Sequence, residues 1–510
     1  MPSKVFSSAI VGLDAQPVEV EVDLIGGLYA FSIVGLPDKA VGEARERVSA
    51  AIKNSGFLPP QKSRQKLTVN LAPADLKKEG AGYDLSIALG YLLASGQTIF
   101  EPKAKIFVGE LSLDGNLRPV WGIISTALMA KEQGFKTFIL PKENAKEASL
   151  IRGIAIIPVE NLKEAVLYLE GKKAIKPQET DINEFLSELK YAVDMAFIKG
   201  QESAKRALEI AAAGGHNILM TGPPGGGKTL LAKALPSILP KMNLKEALEV
   251  TKIYSVSGFL KKDRPLILER PFRSPHHTSS EAAIIGGGNP PKPGEISLAH
   301  RGILFLDEAP EFHRDVLESL RQPLEEGEIT VARTKGAYTF PAEFILIAAK
   351  NPCPCGYYDD PQRECACSPS QIAKYQKKLS GPLLDRIDIH IEVPRVEADI
   401  LLGEKVAEES EKIRERIKIA REIQENRFMA GGEEIFTNSE MNIPKIKKYC
   451  QIDSFSLDLI RKSLKTRALS ARAYHRILKV ARTIADLADS SDIKSDNIAE
   501  AIQYRTRKEE

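Results

Sequence analysis

The sequence predicts an α/β protein in three parts: an α+β N-terminal domain, a central α/β domain built on a phosphate-binding loop, and a helical C-terminal domain. Three observations carry that reading. At 510 residues the chain is too long for one core and suggests about three domains. Between about Leu189 and Pro394 the short apolar runs "NILM", "ILFLDE" and "FILIAAKN" alternate with helical stretches. Near-continuous apolar strands are what a parallel sheet covered on both faces requires. Between "NILM" and the helix "LLAKALPSIL" stands "GPPGGGKT", a glycine-rich loop in the strand-loop-helix setting of a phosphate site.

In chain order, "PVEVEVDL" and "KLTVNLA" alternate apolar and polar residues with period two, as half-buried strands do. "DKAVGEARERVSAAIKNSG" has helical spacing and stops at Gly56, a C-terminal cap. These mark a first domain over residues 1–170. The polar stretch from Glu170 to Phe185 lacks periodicity and places a linker over 171–188. The central domain spans 189–395. Beyond Pro394 no strand signal remains, and "DILLGEKVAEESEKIRERIKIAREIQENRF" and "ARAYHRILKVARTIADLAD" read as helices of a domain over 396–510. There are no internal repeats.

Net charge is only +3, so any nucleic-acid contact must come from a few placed cations rather than a polybasic surface. The N-terminus lacks an apolar signal region and no apolar run reaches membrane-spanning length, so a cytoplasmic protein without membrane contact is expected.

The loop Gly222-Pro223-Pro224-Gly225-Gly226-Gly227-Lys228-Thr229 explains itself chemically. Its glycines let backbone N–H groups turn toward phosphate oxygens, Lys228 brings a cation to the β- and γ-phosphates of ATP, and the Thr229 hydroxyl can ligate Mg2+. "ILFLDE" ends in Asp307 and Glu308, two carboxylates delivered to the sheet edge. Asp307 is suited to the magnesium shell and Glu308 to the general base. Asn351 ends the next strand and can orient the hydrolytic water. Arg386, in "SGPLLDRIDIHIEVP", and Arg472, near a helix start, can meet the charge that hydrolysis develops on the γ-phosphate.

In this order these pieces resemble an AAA+ ATPase with its phosphate loop, acidic strand, sensor asparagine, arginine finger and sensor arginine in a helical lid. "IKGQESAKRALEIAAAGGHNILMTGPPGGGKT", "RPFRSPHHTSSEAAIIGGGNPPKPGEISLAHRGILFLDE", "NPCPCG" and "LSGPLLDRIDIHIEVP" narrow the resemblance to the magnesium-chelatase-like ComM/YifB family, over essentially the whole chain. The resemblance implies a ring, a homo-hexamer with ATP at subunit boundaries. It implies a helicase that drives branch migration on single-stranded or branched DNA during natural transformation, with recombination proteins as further partners. Arg386 then serves the neighbour's nucleotide, a role suggested also by its lack of evident use within its own subunit; Arg472 works in cis or in trans. "NLAPADLKKEGAGYDLSIALGYLLASG" resembles the Lon protease-type domain. Where Lon enzymes carry Pro-Ser-Ala-Gly, this chain has Gly80-Ala81-Gly82-Tyr83 in its place, and Ser86 has no oriented base, which implies a non-proteolytic domain. Lys77 and Lys78 are expected to face solvent.

Between the acidic and sensor strands lies "ITVARTKGAYTF", a hairpin with Lys335 at its tip and Arg333 nearer its base. In ring ATPases of the chelatase and replicative-helicase type this insertion projects into the pore, where a lysine grips a backbone phosphate, so Lys335 and Arg333 are the expected DNA contacts. A second insertion offers Arg273, His276 and His277. "CPCGYYDDPQRECAC" supplies Cys353, Cys355, Cys365 and Cys367 as two C-x-C pairs nine residues apart. Four thiolates suit a structural Zn2+; metal-free reduced thiols are the alternative. Cys450 stands apart as a buried apolar residue. Two other functions compete with the helicase: a chelatase motor driving magnesium insertion into a porphyrin, and a protease, which the missing serine opposes.

Overall fold

The computed structural model describes residues 2–62, 64–181, 191–261, 263–288, 291–333, 336–358, 360–403, 407–466 and 470–505. The chain forms two compact units: Met1–Ser187 with Leu244–Leu268, and Glu188–Asn243 with Glu269–Glu510.

In the first unit the strands Ser3–Val11 and Asp14–Gly26 form a hairpin that pairs Val11 with Asp14. Gly12, at φ +63°, supplies the left-handed residue that so short a turn needs. The four-stranded sheet continues through Gln65–Ala72 to the edge strand Ala30–Val34. The expected period of two holds: Val18, Val20, Val22, Leu67, Val69 and Leu71 are all fully buried. The helix Asp84–Ala94 packs closely on this sheet, and a Cβ on its Gly90 would come within 2.7 Å of Val22 Cγ2. The helix Lys39–Asn54 starts at Asp38, whose side chain accepts from the Val41 N–H at 2.7 Å. A three-stranded parallel sheet of Lys105–Phe107, Thr137–Pro141 and Ala155–Val159 completes the α+β fold. Of the expected linker, the described part lies close to that sheet, with the Gln178 N–H bonded to Ile156 O at 2.8 Å; residues 182–190 lie outside the described residues.

The sequence reading ran the central domain unbroken from 189 to 395. The structure instead groups Leu244–Leu268 with the N-terminal unit. The helix Leu244–Ser257 packs on Ile123–Glu132, and buried Glu147 accepts from Ser255 Oγ at 2.5 Å and from the Ile124 N–H at 3.3 Å. Burial pushes the Glu147 carboxyl up to about 7. Helical spacing shows that a face is buried but not what buries it, so this segment reads as a neighbour of the helix it follows in sequence.

The second unit is built on a five-stranded sheet in the order Phe272–Arg273, Ile303–Leu306, Ile345–Lys350, Ile218–Thr221 and Ile389–Glu392, all parallel. Ile303, Phe305, Met220, Ile347 and Ile389 share one core with Ile413, Ile417, Phe428, Ile477 and Ile484 of the later helices. The C-terminal helices Ser410–Ala430, Ile443–Tyr449, Ser454–Thr466, Ala471–Leu487 and Ser495–Gln503 are therefore continuous with the sheet domain in packing. No helix among the described residues is long and apolar enough to cross a membrane.

Candidate active site

Parallel strands bring their C-terminal ends to one edge of the sheet, and the expected nucleotide residues gather there. Thr221 ends one strand and the glycine loop follows, leading into the helix Lys228–Ile238. A Cβ on Gly222 would lie 2.1 Å from Val393 O, so the loop can pass this close to the neighbouring strand end only as glycine. Gly225 and Gly227 take φ +80° and +89°, turning the loop around an open centre. Lys228 lies folded over the loop, donating to Gly222 O at 2.7 Å, Pro223 O at 2.9 Å and Asn351 Oδ1 at 3.1 Å. Burial lowers its pKa, against the opposing pull of Asp307 and Glu308.

Thr229 Oγ1 donates to Asp307 Oδ2 at 2.8 Å, which brings together the two oxygens suited to magnesium. Glu308 is exposed and holds φ +49°, a left-handed conformation that a non-glycine residue adopts at a cost of about 1–3 kcal/mol. The Glu308 N–H donates to Asp307 Oδ1 at 3.1 Å. Gln201 is a residue sequence reasoning missed. Its Nε2 donates to Gly226 O at 3.1 Å and Pro394 O at 2.5 Å, tying the loop to the end of the neighbouring strand. Its only signal was its place directly before the helix Glu202–Gly214.

Arg386 lies before the strand Ile389–Glu392, at the sheet end opposite the phosphate loop. It is buried, donates to Pro382 O at 2.7 Å, and pairs with Glu325 at 2.6 Å. The expectation that Arg386 has no use within its own subunit is thus corrected: Glu325, distant in sequence, is its counter-charge. Arg472 reaches the same Glu325 carboxylate at 3.4 Å. The structure therefore groups Arg472 with Arg386.

The four cysteines converge, with all Sγ atoms within 4.8 Å of one another. Cys353 lies 3.3 Å from Cys355 and 3.6 Å from Cys365, and Cys355 lies 3.6 Å from Cys365. Thiolates about 2.3 Å from a tetrahedral zinc are separated by about 3.8 Å, so this cluster fits the ion after a slight expansion. The Tyr357 backbone N–H draws the Cys355 thiol down to about 6. At Cys365 the Cys367 N–H also pulls down, but burial and the Cys353 and Cys355 thiols leave it pushed up to about 12. A dication would stabilise all four as thiolates. The Gly356 N–H bonds to Cys353 Sγ at 3.2 Å, and Gly356 packs against Pro224 of the phosphate loop.

Comparison with known proteins divides the chain in three, with the central match running unbroken through Leu244–Leu268. The magnesium chelatase subunit ChlI family matches residues 194–401, the related family "Subunit ChlI of Mg-chelatase" matches 20–144, and the ChlI C-terminal family matches 407–505. Competence protein ComM of Haemophilus influenzae is 44% identical over 508 residues, covering 98% of this chain and 97% of its own. YifB of Escherichia coli is 43% identical over 507 residues, covering 99% and 97%. The chain belongs to the magnesium-chelatase-like ComM/YifB family. Its likeness to the magnesium-chelatase 38 kDa subunit of Cereibacter sphaeroides is narrower, 28% identity over 171 residues, 30% of this chain and 51% of that one.

In this ComM/YifB-family chain no base among the described residues of the N-terminal unit is hydrogen-bonded to Ser86. That residue is fully buried and its hydroxyl donates to Tyr83 O at 2.8 Å. Lys78, expected in solvent, is fully buried: its backbone bonds to Leu36 O and to the Asp38 N–H, and its ammonium donates to Pro73 O. Burial lowers its pKa. Lys77 pairs with Glu79. The hairpin forms as Glu328–Arg333 against Gly336–Pro341, with Arg333 opposite Gly336; Lys335 lies outside the described residues. In the second insertion Arg273 is held by two 2.6 Å bonds to Glu295, while exposed His276 stacks on His277 at 4.2 Å.

Proposed function

We propose that this chain is a ring-forming, ATP-driven DNA helicase and translocase, a homo-hexamer that promotes branch migration of single-stranded or branched DNA in the cytoplasm. The observation that carries the ring is the distance between the arginines and the phosphate loop. The strand Ile389–Glu392 and Val393 separate Arg386 from that loop. At about 3.3 Å per residue this is about 13 Å or more, beyond the reach of one side chain. Arg386 and Arg472 therefore suit a neighbour's nucleotide.

Within one site, Lys228 exchanges its carbonyl contacts for the β- and γ-phosphates. Thr229 and Asp307 would hold magnesium, which would supply positive charge beside the phosphates. Glu308 accepts the proton of the attacking water while Asn351 orients that water. Cys353, Cys355, Cys365 and Cys367 would hold a structural zinc and fix the loop after Asn351 against Pro224. Lys335, with Arg333, grips a DNA phosphate. The competence protein among the relatives directs this reading to the integration of incoming DNA, where recombination proteins are natural partners.

A second reading, a chelatase motor, is favoured by the likeness to the chelatase subunit over 30% of the chain. ATP hydrolysis with and without single-stranded, forked and three-stranded DNA separates the two. Stimulation by DNA with strand displacement supports the helicase, and Lys335→Ala should abolish the displacement. Stimulation only by chelatase partner subunits supports the motor.

A further inference from the structure

We infer that Glu325 is a positioning residue that couples the arginine pair to the hairpin, latching Arg386 and Arg472 in a free subunit and releasing its helix when they engage a neighbour's nucleotide. This rests on the ring reading above. One Glu325 oxygen lies 2.6 Å from Arg386 Nη2 and 3.4 Å from Arg472 Nη2. Two guanidiniums against one carboxylate leave a surplus positive charge, and Arg386 Nε is buried without a hydrogen-bond partner. A terminal phosphoryl group carries more negative charge than a carboxylate and accepts from several donors at once, so it competes for the pair.

The carboxylate's own helix, Arg321–Glu326, is tied to the hairpin. Gln322 spans from it to Thr330, donating to Oγ1 at 3.3 Å and accepting from the Thr330 N–H at 3.2 Å. Gly327, at φ +71°, turns the helix directly into the strand Glu328–Arg333, and the Ala342 N–H closes the hairpin foot on Gly327 O at 2.7 Å. On the other side, Arg476 of the Arg472 helix pairs with Asp388, two residues beyond Arg386, so both arginines stand on one support. Withdrawal of the arginines from Glu325 cuts the charged tie between that support and the hairpin helix. Among the described residues, the side-chain hydrogen bond left to that helix runs from Arg321 Nη2 to Ser380 Oγ at 3.3 Å.

Full-length Glu325→Gln is compared with the unsubstituted chain for ATP hydrolysis without DNA, hydrolysis with forked DNA, and base pairs opened per ATP. Freed arginines raise DNA-independent hydrolysis about fivefold, the upper ratio for a partly exposed ion pair. Stimulation by DNA falls toward unity, and unwinding per ATP falls about tenfold. Glu325→Asp restores part of the coupling. Gln322→Ala, which leaves the ion pairs intact, also lowers unwinding per ATP, and it supplies the test if Glu325→Gln does not fold. A Glu325→Gln protein with unaltered stimulation and unwinding per ATP, beside an unsubstituted chain that DNA stimulates, overturns the coupling alone. An unsubstituted chain that no DNA stimulates overturns the helicase reading and the inference with it.

Discussion

Gly356→Ala tests whether the cysteine loop holds the phosphate loop in its working shape. Gly356 sits at φ +85°, and a Cβ there would lie 2.5 Å from Pro224 Cδ and 2.7 Å from Pro224 Cγ. Carbon atoms in contact keep about 3.5–4.0 Å apart, so something must move by about 1 Å. The Pro224 ring cannot rotate aside as a flexible side chain would. The left-handed backbone costs an alanine about 1–2 kcal/mol and the overlap about 1–3 kcal/mol. Part of that total lowers stability, and part is relieved by shifting Pro224, which lies inside the phosphate loop. A misplacement of about 1 Å in a positioning element costs about 100-fold in rate. The assay is kcat/KM for ATP on folded protein, beside a thermal melt. The expected variant melts several degrees lower and loses about 100-fold in kcat/KM. A lower melting temperature with unaltered kcat/KM would refute the link between the two loops, and no change in either would refute the contact itself.

Glu308→Gln should bind ATP yet slow hydrolysis by about 100- to 10,000-fold, the usual share of a general base, as read by nucleotide binding and single-turnover assays. Metal analysis should find one zinc per chain, and Cys365→Ser should lower both zinc content and melting temperature; a metal-free unsubstituted protein sinks the assignment. Glu147 binds its proton more tightly folded, at about 7, than at its ordinary 4.5. The stability it confers is therefore full below about pH 4.5 and lost as pH rises through 7, about 3 kcal/mol in all. Hydrogen exchange should show the helix Leu244–Ser257 opening more readily at pH 8 than at pH 5.5, a dependence that Glu147→Gln should remove.

What the sequence made legible is what neighbouring residues decide. Val18, Val20 and Val22 alternate because one face of their strand is buried, and "ILFLDE" is continuous because its strand is covered on both sides. Gly222 to Thr229, Asp307 and Asn351 were legible because each directly follows such a strand. Lys78 was misread because residues 36–38, far from it in sequence, supply the backbone bonds that draw it inside. Gln201 and Glu325 are ordinary residues at or in helices, and they reach partners as far away in sequence as Pro394 and Arg386. Side chains that act on remote segments leave no periodicity or spacing to read.

Arg386 shows how such a partner changes an argument without reversing it. Its solitude in sequence suggested service to a neighbour, and the structure gives it Glu325. A guanidinium only 7% exposed cannot stand unpaired, because an uncompensated buried charge costs several kcal/mol. Some counter-charge is thus required for the free subunit to fold with Arg386 in place. Glu325 supplies it from a half-exposed position and divides it with Arg472. A carboxylate so shared and so hydrated holds either arginine weakly. The pairing therefore keeps Arg386 at the sheet end remote from its own phosphate loop while leaving it free to go to a stronger anion.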